Sequence, residues 1–185
     1  MEYLGWVALT LGIILVIIAL MALGWRNRLR RQSDVPVPPE PPGDLGPLLY
    51  EAEGQYVATT TAADWLDRIA VHGLGLRGNA VAAVHPDGVV IDRTGARSFF
   101  ILRTDLISVH LAGGMAGKFV EKKGLVVITW SLGTARVDTG FRTRHAAHKA
   151  QLAAAVAALI PAGSPDRATG TSHRTPPTPE GREQL

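Results

Sequence analysis

The sequence predicts a mainly-β domain of six or seven antiparallel strands closed by one C-terminal helix, carried behind a single transmembrane helix. Three observations predict it. Residues 3–25 form a run without a single charge, followed at once by Arg26, Arg28, Arg30 and Arg31. From residue 48 to about 141, short β-prone runs alternate with turns rich in glycine and aspartate. Residues 144–160, RHAAHKAQLAAAVAALI, are alanine-rich, with Leu152, Val156, Leu159 and Ile160 at helical spacing and Pro161 as a stop.

The apolar run comes first in the chain. As a helix, residues 3–25 extend about 34 Å, enough for a hydrocarbon layer of about 30 Å. A cleaved signal peptide would have positive charge before a shorter core and small residues after it. Only Met1 and Glu2 precede this core, and arginines follow it. Tyr3 and Trp6 at one end and Trp25 at the other suit the two headgroup levels. By the positive-inside rule, residues 1–2 lie outside and everything after the arginines lies in the cytoplasm, which places the protein in the plasma (inner) membrane. Each of Arg26, Arg28, Arg30 and Arg31 is a candidate membrane-surface contact, attracted to anionic lipid by about 1 kcal/mol. The span holds no Asp, Glu, Lys, Arg or His, so it offers no proton relay or ion site of the kind that intramembrane charges mark. Ala8 and Gly12 make one small-xxx-small pair, which allows at most weak homo-oligomerisation through the helix.

Charge is distributed unevenly. Residues 1–31 carry +3, the linker 32–47 carries −3, the domain 48–160 carries +3, and the tail 161–185 is neutral. A domain this mildly basic lacks the dense positive field of a nucleic-acid binder. Cysteine is absent, which excludes disulfides, thiolate metal sites and a cysteine nucleophile. After the basic juxtamembrane residues, QSDVPVPPEPPGDLGP reads as an extended polyproline spacer of up to roughly 50 Å, holding the domain off the bilayer. The linker is thus residues 26–47 and the domain 48–160, with helix 144–160. The Pro/Ser/Thr-rich tail 161–185 is expected to be disordered.

Within the domain, residues 50–60 make a first strand. Thr61 resembles an N-cap with Asp64 three residues on, so 62–71 is expected as a short helix ended by Gly73. Strands 80–85 and 89–93 flank Pro86-Asp87-Gly88, a hairpin signal. Strands 98–102, 106–111, 118–121, 125–132 and 135–139 follow. In 106–111, Leu106, Ser108 and His110 share one face, with Ile107, Val109 and Leu111 on the other. LVVITWSL is apolar on both faces and so should be a central, covered strand.

No motif for catalysis survives its context. Gly73, Gly75 and Gly78 match G-x-G-x-x-G, but Pro86 and a turn follow within eight residues, leaving no room for the helix that would bind a pyrophosphate. GGMAGK, residues 113–118, lacks the spacing and the Ser/Thr of a phosphate loop, since Phe119 follows Lys118. What remains there is a basic, glycine-rich edge of Lys118, Lys122 and Lys123, a candidate contact for lipid headgroups or an acidic partner. His145 and His148 share a helix face but lack a third ligand nearby. No nucleophile elbow or carboxylate pair is found, so neither a catalytic residue nor a cofactor is assigned.

The order of elements resembles the bacterial pleckstrin-homology-like (PH-like) fold. More narrowly, ADWLDRIAVHGLGLRG, GGMAGKFVEKKGLVVITWSLG and VDTGFR are similar to a family of bacterial single-pass membrane proteins with a cytoplasmic domain of this kind. The resemblance implies about seven strands in two near-orthogonal sheets with a C-terminal capping helix. Members are loosely labelled transporters or export proteins, and their genes tend to lie near pyrimidine-biosynthesis genes. Inositide-binding members of the wider fold use a basic cluster between the first two strands, where this chain has Arg68 and Arg77. The expected function is a noncatalytic module binding a protein or lipid surface at the cytoplasmic face, with the bilayer and an unidentified protein as partners. An accessory subunit of a transport or export system is the alternative, and an uncharacterised enzyme is third.

Overall fold

The computed structural model describes residues 2–62, 64, 66–115, 118–119 and 124–161 of the 185-residue chain. Helix α1 spans Glu2–Arg31. Its stretch Gly5–Asn27 has a mean hydropathy of 2.8, and none of it is buried against the rest of the protein.

The domain is built on β1 (Tyr50–Thr61), β2 (Gly78–His85), β3 (Gly88–Arg93), β4 (Phe99–Leu102), β5 (Leu106–Ala112), a short β6–β7 hairpin (Gly114–Met115 and Lys118–Phe119), β8 (Leu125–Leu132), β9 (Ala135–Thr143) and α2 (Ala146–Leu159). Seven strands pair antiparallel in the order β4-β3-β2-β1-β9-β8-β5. The hydrogen bonding therefore forms one sheet rather than the expected two, with β6–β7 as a separate pair. The 86–88 hairpin is where the Asp-Gly signal puts it, pairing His85 with Gly88.

One side of the sheet holds the core: Tyr56, Ile91, Phe99, Ile101, Leu106, Ile128, Trp130, Val137 and Phe141 are all buried. Helix α2 lies across it with Leu152, Val156 and Leu159, spaced four and three residues apart. The carbonyl of Leu159, at the end of that helix, accepts a 3.0 Å hydrogen bond from Arg103 Nε. Strand β8 is buried on both faces, as its apolar sequence requires, although it stands second from the sheet edge. Its Leu125 and Val127 join Val57 in a small second cluster.

Three expectations are corrected. Residues 62–71 do not form a helix among the described positions. The Asp64 carboxylate instead accepts hydrogen bonds from the N–H groups of Leu66 and Asp67 in a local turn. The chain then doubles back on β1, with Ile69 N–H bonded to Thr59 O and Thr61 N–H to Asp67 O, both at 2.9 Å. The alternation in β5 breaks between Leu106 and Ser108, where the register with β8 shifts. Leu106 therefore joins Val109 and Leu111 on the core side, while His110 is exposed. Strand β9 runs to Thr143, beyond the expected end at 139, because Phe141 and Thr143 pair with Tyr56 and Gly54 of β1.

The proline-rich segment also departs from expectation: it is strapped along the domain. Pro38 is buried and Val35 packs against the core. Pro39 O accepts a 2.8 Å hydrogen bond from Phe100 N–H, covering the outer edge of β4. Pro36 seats on the β8–β9 turn, where Gly133 has φ +61° and an added Cβ would come within 2.8 Å of Pro36 Cγ. A proline segment cannot supply many N–H donors, but its carbonyls can satisfy a sheet edge.

Candidate membrane-proximal junction

The junction between α1 and the domain is short. Gln32, the first residue past α1, is fixed by both ends of its amide: Oε1 accepts from Ala70 N–H at 2.7 Å, and Nε2 donates to Arg68 O at 3.1 Å. His72 Nε2 lies 2.8 Å from Val35 O and donates to it. His72 itself sits at φ +56°, a left-handed conformation unusual for a non-glycine residue, within the single turn Val71–Gly73. The β1–β2 loop thus grips the segment that leaves the helix.

Arg93 organises this loop from below. It is almost fully buried, and its guanidinium donates to Gly73 O at 2.8 Å and to Arg97 O from both Nε and Nη2. It also lies 4.9 Å from the Tyr56 ring centroid and 5.2 Å from that of Phe99. Burial lowers the Arg93 pKa, and the nearby Tyr56 opposes that shift. Arg97 reaches across to Glu40 of the strap, in a pair that stands mostly in solvent and so adds little stability. Strap, loop and β3–β4 turn surround a cleft of about 330 Å³ lined by Val37, Pro38, His72, Leu76, Arg93 and Arg97 among others.

Beneath the loop runs a buried hydrogen-bond chain whose direction is determined. Trp130 Nε1 can only donate, and gives its proton to Thr139 Oγ1 at 2.9 Å. At the other end, Leu74 O can only accept, and takes a 2.6 Å bond from the Tyr56 hydroxyl. The links between must therefore run Thr139 to Thr59 at 2.9 Å and Thr59 to Tyr56 at 2.7 Å. A bulge at Val57 makes this possible: it shifts the register so that Tyr56 and Thr59, three apart, face the same side. Burial pushes the Tyr56 pKa up to about 12, against the lowering effect of Thr59 and the more distant cations.

The candidate residues from the sequence fall in separate places. Arg26, Arg28, Arg30 and Arg31 all lie on the last turns of α1, and the side chains of Arg26 and Arg30 are exposed. Lys118 is in the short strand β7, whereas Lys122 and Lys123 lie outside the described residues. Gly124, next in the chain, lines a second and more polar cleft of about 600 Å³, together with Glu53, Arg142, Arg144 and Lys149. Arg144 pairs there with Glu53 at 3.2 Å. The His145 and His148 rings are 5.8 Å apart, and His148 meets Tyr50 edge-on. Among the described residues no three His, Asp or Glu side chains converge as a metal site would need. In the glycine motif, Gly78 opens β2 rather than a helix. An added Cβ at Gly75 would lie 2.9 Å from Ile69 O, so close backbone packing explains that glycine without a phosphate. Sequence reasoning missed Gln32, His72 and Arg93, which carry no motif; the one available signal was the charged pair Asp92-Arg93 closing the apolar run Val89–Ile91.

A single antiparallel sheet of seven strands with a C-terminal helix across its core is the architecture of small PH-like domains. The chain belongs to the bacterial PH domain-like family, whose model matches residues 33–157. That match begins inside the proline-rich strap. No curated protein matches the chain. Among solved structures, a chain of "The 8S snRNP Assembly Intermediate" aligns at 12% identity and a TM-score of 0.44, covering 74% of this chain and 97% of that one. A likeness that distant carries no argument about function.

Proposed function

We propose that this protein is a noncatalytic interaction module, anchored by α1 in the plasma membrane with its PH-like domain on the cytoplasmic face. The family supports an interaction role, since PH-like domains are generally noncatalytic. The observation that carries the reading is the direct coupling of a 23-residue apolar stretch, Gly5–Asn27, through arginines and Gln32, to a domain that presents clefts and loops. Trp25 and the four arginines suit the inner headgroup level. Carbonate washing of membranes should leave the protein in the pellet, and protease added outside intact cells should spare the domain. Release by carbonate would overturn the anchor, and external cleavage the orientation.

The protein-binding side of the module is assigned to the second cleft and the basic edge beside it, Lys118, Lys122 and Lys123. Gly124 joins the two in sequence, and Arg142, Arg144 and Lys149 continue the positive charge. A partner with an acidic surface fits this chemistry. Copurification from detergent should lose that partner when Lys122 and Lys123 are both replaced by glutamate. A polytopic partner would make the protein an accessory transport or export subunit; a soluble one would not.

A further inference from the structure

We infer that the cleft beside the start of α2 seats an extended acidic segment of the partner protein, and that Glu53 is a competitor for that segment built into the site. The inference rests on the protein-binding reading above and names the chemistry of the contact. Ala52 and Tyr56 of β1 are buried in the core, so Glu53 and Gln55 between them point to the opposite face of the sheet. On that face Gln55 stands opposite Arg142 of β9 on one side and Asn79 of β2 on the other. Thr94, just past β3, donates its N–H to Asn79 O. Arg142, Gln55, Asn79 and Thr94 therefore make a row across four adjacent chain segments, about 14 Å long at the usual strand spacing. Four residues of an extended peptide span about the same length.

Each side chain of the row carries a hydrogen-bond donor. The Gln55 Oε1 accepts from Arg77 Nη2, leaving the NH2 end of that amide to donate. Three cations line the cleft, Arg142, Arg144 and Lys149, against one carboxylate, Glu53. Lys149 has no ionic partner among the described residues. Glu53 and Arg144 pair at 3.2 Å with side chains 64% and 70% exposed, so the pair contributes little to the fold and exchanges readily with an outside carboxylate. A carboxylate that takes Arg144 leaves the charge of Glu53 beside it. Glu53 thus sets affinity rather than stability. A nucleic-acid strand is disfavoured because no aromatic ring lines the cleft to stack a base.

The probe is fluorescein-labelled hexaglutamate, added to the full chain in phosphatidylcholine nanodiscs and followed by anisotropy. Binding should saturate, and labelled hexaglutamine should not bind. Glu53→Gln should tighten hexaglutamate by roughly three- to tenfold, and Lys149→Gln should weaken it by a similar factor, with melting temperatures unchanged in both. A purely structural Glu53–Arg144 pair predicts no gain from Glu53→Gln. Equal affinity in the parent and both variants would place the peptide on the arginines that end α1 and overturn the inference. Displacement of the peptide by phosphatidylglycerol vesicles would assign the cleft to lipid and overturn it too. In copurification from detergent, a partner lost with Lys122 and Lys123 but indifferent to Glu53→Gln and Lys149→Gln would remove the inference alone. A partner indifferent to Lys122 and Lys123 would instead remove the reading on which it rests.

Discussion

Tyr56 shows how much one side chain joins. Its ring packs edge-on against Phe99 at 5.9 Å, lies under the Arg93 guanidinium, and its hydroxyl completes the chain from Trp130 to Leu74. Its raised pKa has a defined consequence for stability. The folded state holds the phenolic proton up to about pH 12, whereas the unfolded chain releases it near 10. Between those values the folded state binds more protons, so stability is fully present below pH 10 and declines as pH rises toward 12. A two-unit shift corresponds to roughly 2–3 kcal/mol. Tyr56→Phe should cost about 1–3 kcal/mol at neutral pH, by leaving the buried Thr59 hydroxyl proton without its acceptor and Leu74 O with only its bond from Thr59 N–H. It should also flatten the decline between pH 10 and 12 relative to the parent. Denaturant unfolding of residues 33–161 across that range checks both; an equal slope in the two proteins would remove Tyr56 from the alkaline transition. None of this is written in the residue pattern. The Val57 bulge that aligns Tyr56 with Thr59 depends on which strands pair with β1, information the strand's own sequence lacks.

At the level of elements, the strands were legible because alternation and turn chemistry are local: the β2–β3 hairpin follows from Asp87-Gly88, and β8 from its unbroken apolar run. Residues 61–71 misled for an equally local reason. Thr61 and Asp64 are good helix caps and equally good turn formers, and pairing with β1 decided between them. The strap was unreadable in another way. Prolines announce an extended chain but not whether it stays in solvent, and here the bare edge of β4 supplies a partner for the Pro39 carbonyl. A fragment beginning at residue 48 should accordingly be less stable than one beginning at residue 33, by about 2–4 kcal/mol. It should also self-associate through the uncovered β4 edge. Chemical denaturation and sedimentation of the two fragments test this, and equal midpoints would show that the strap contributes nothing.

For the whole molecule, the proposed orientation rests on few residues. Replacing Arg26, Arg28, Arg30 and Arg31 together by glutamine removes the positive flank without shortening the apolar run. The protein should still pellet with membranes, but a fraction of its domains should become sensitive to protease outside the cell. Uniform protection of that variant would mean that something other than these arginines sets the orientation. The long apolar helix and the class of fold were readable because both are statements about composition and period over many residues. The join between them was not, because it depends on single side chains, Gln32 and His72, meeting backbone groups about forty positions away.

The strap has a mechanical consequence. A pull along α1 would enter the domain at Gln32 and pass sideways into the β1–β2 loop, the β8–β9 turn and the rim of β4 before reaching Tyr50. Several attachments must then yield together, as in a lap joint, instead of one strand peeling away bond by bond.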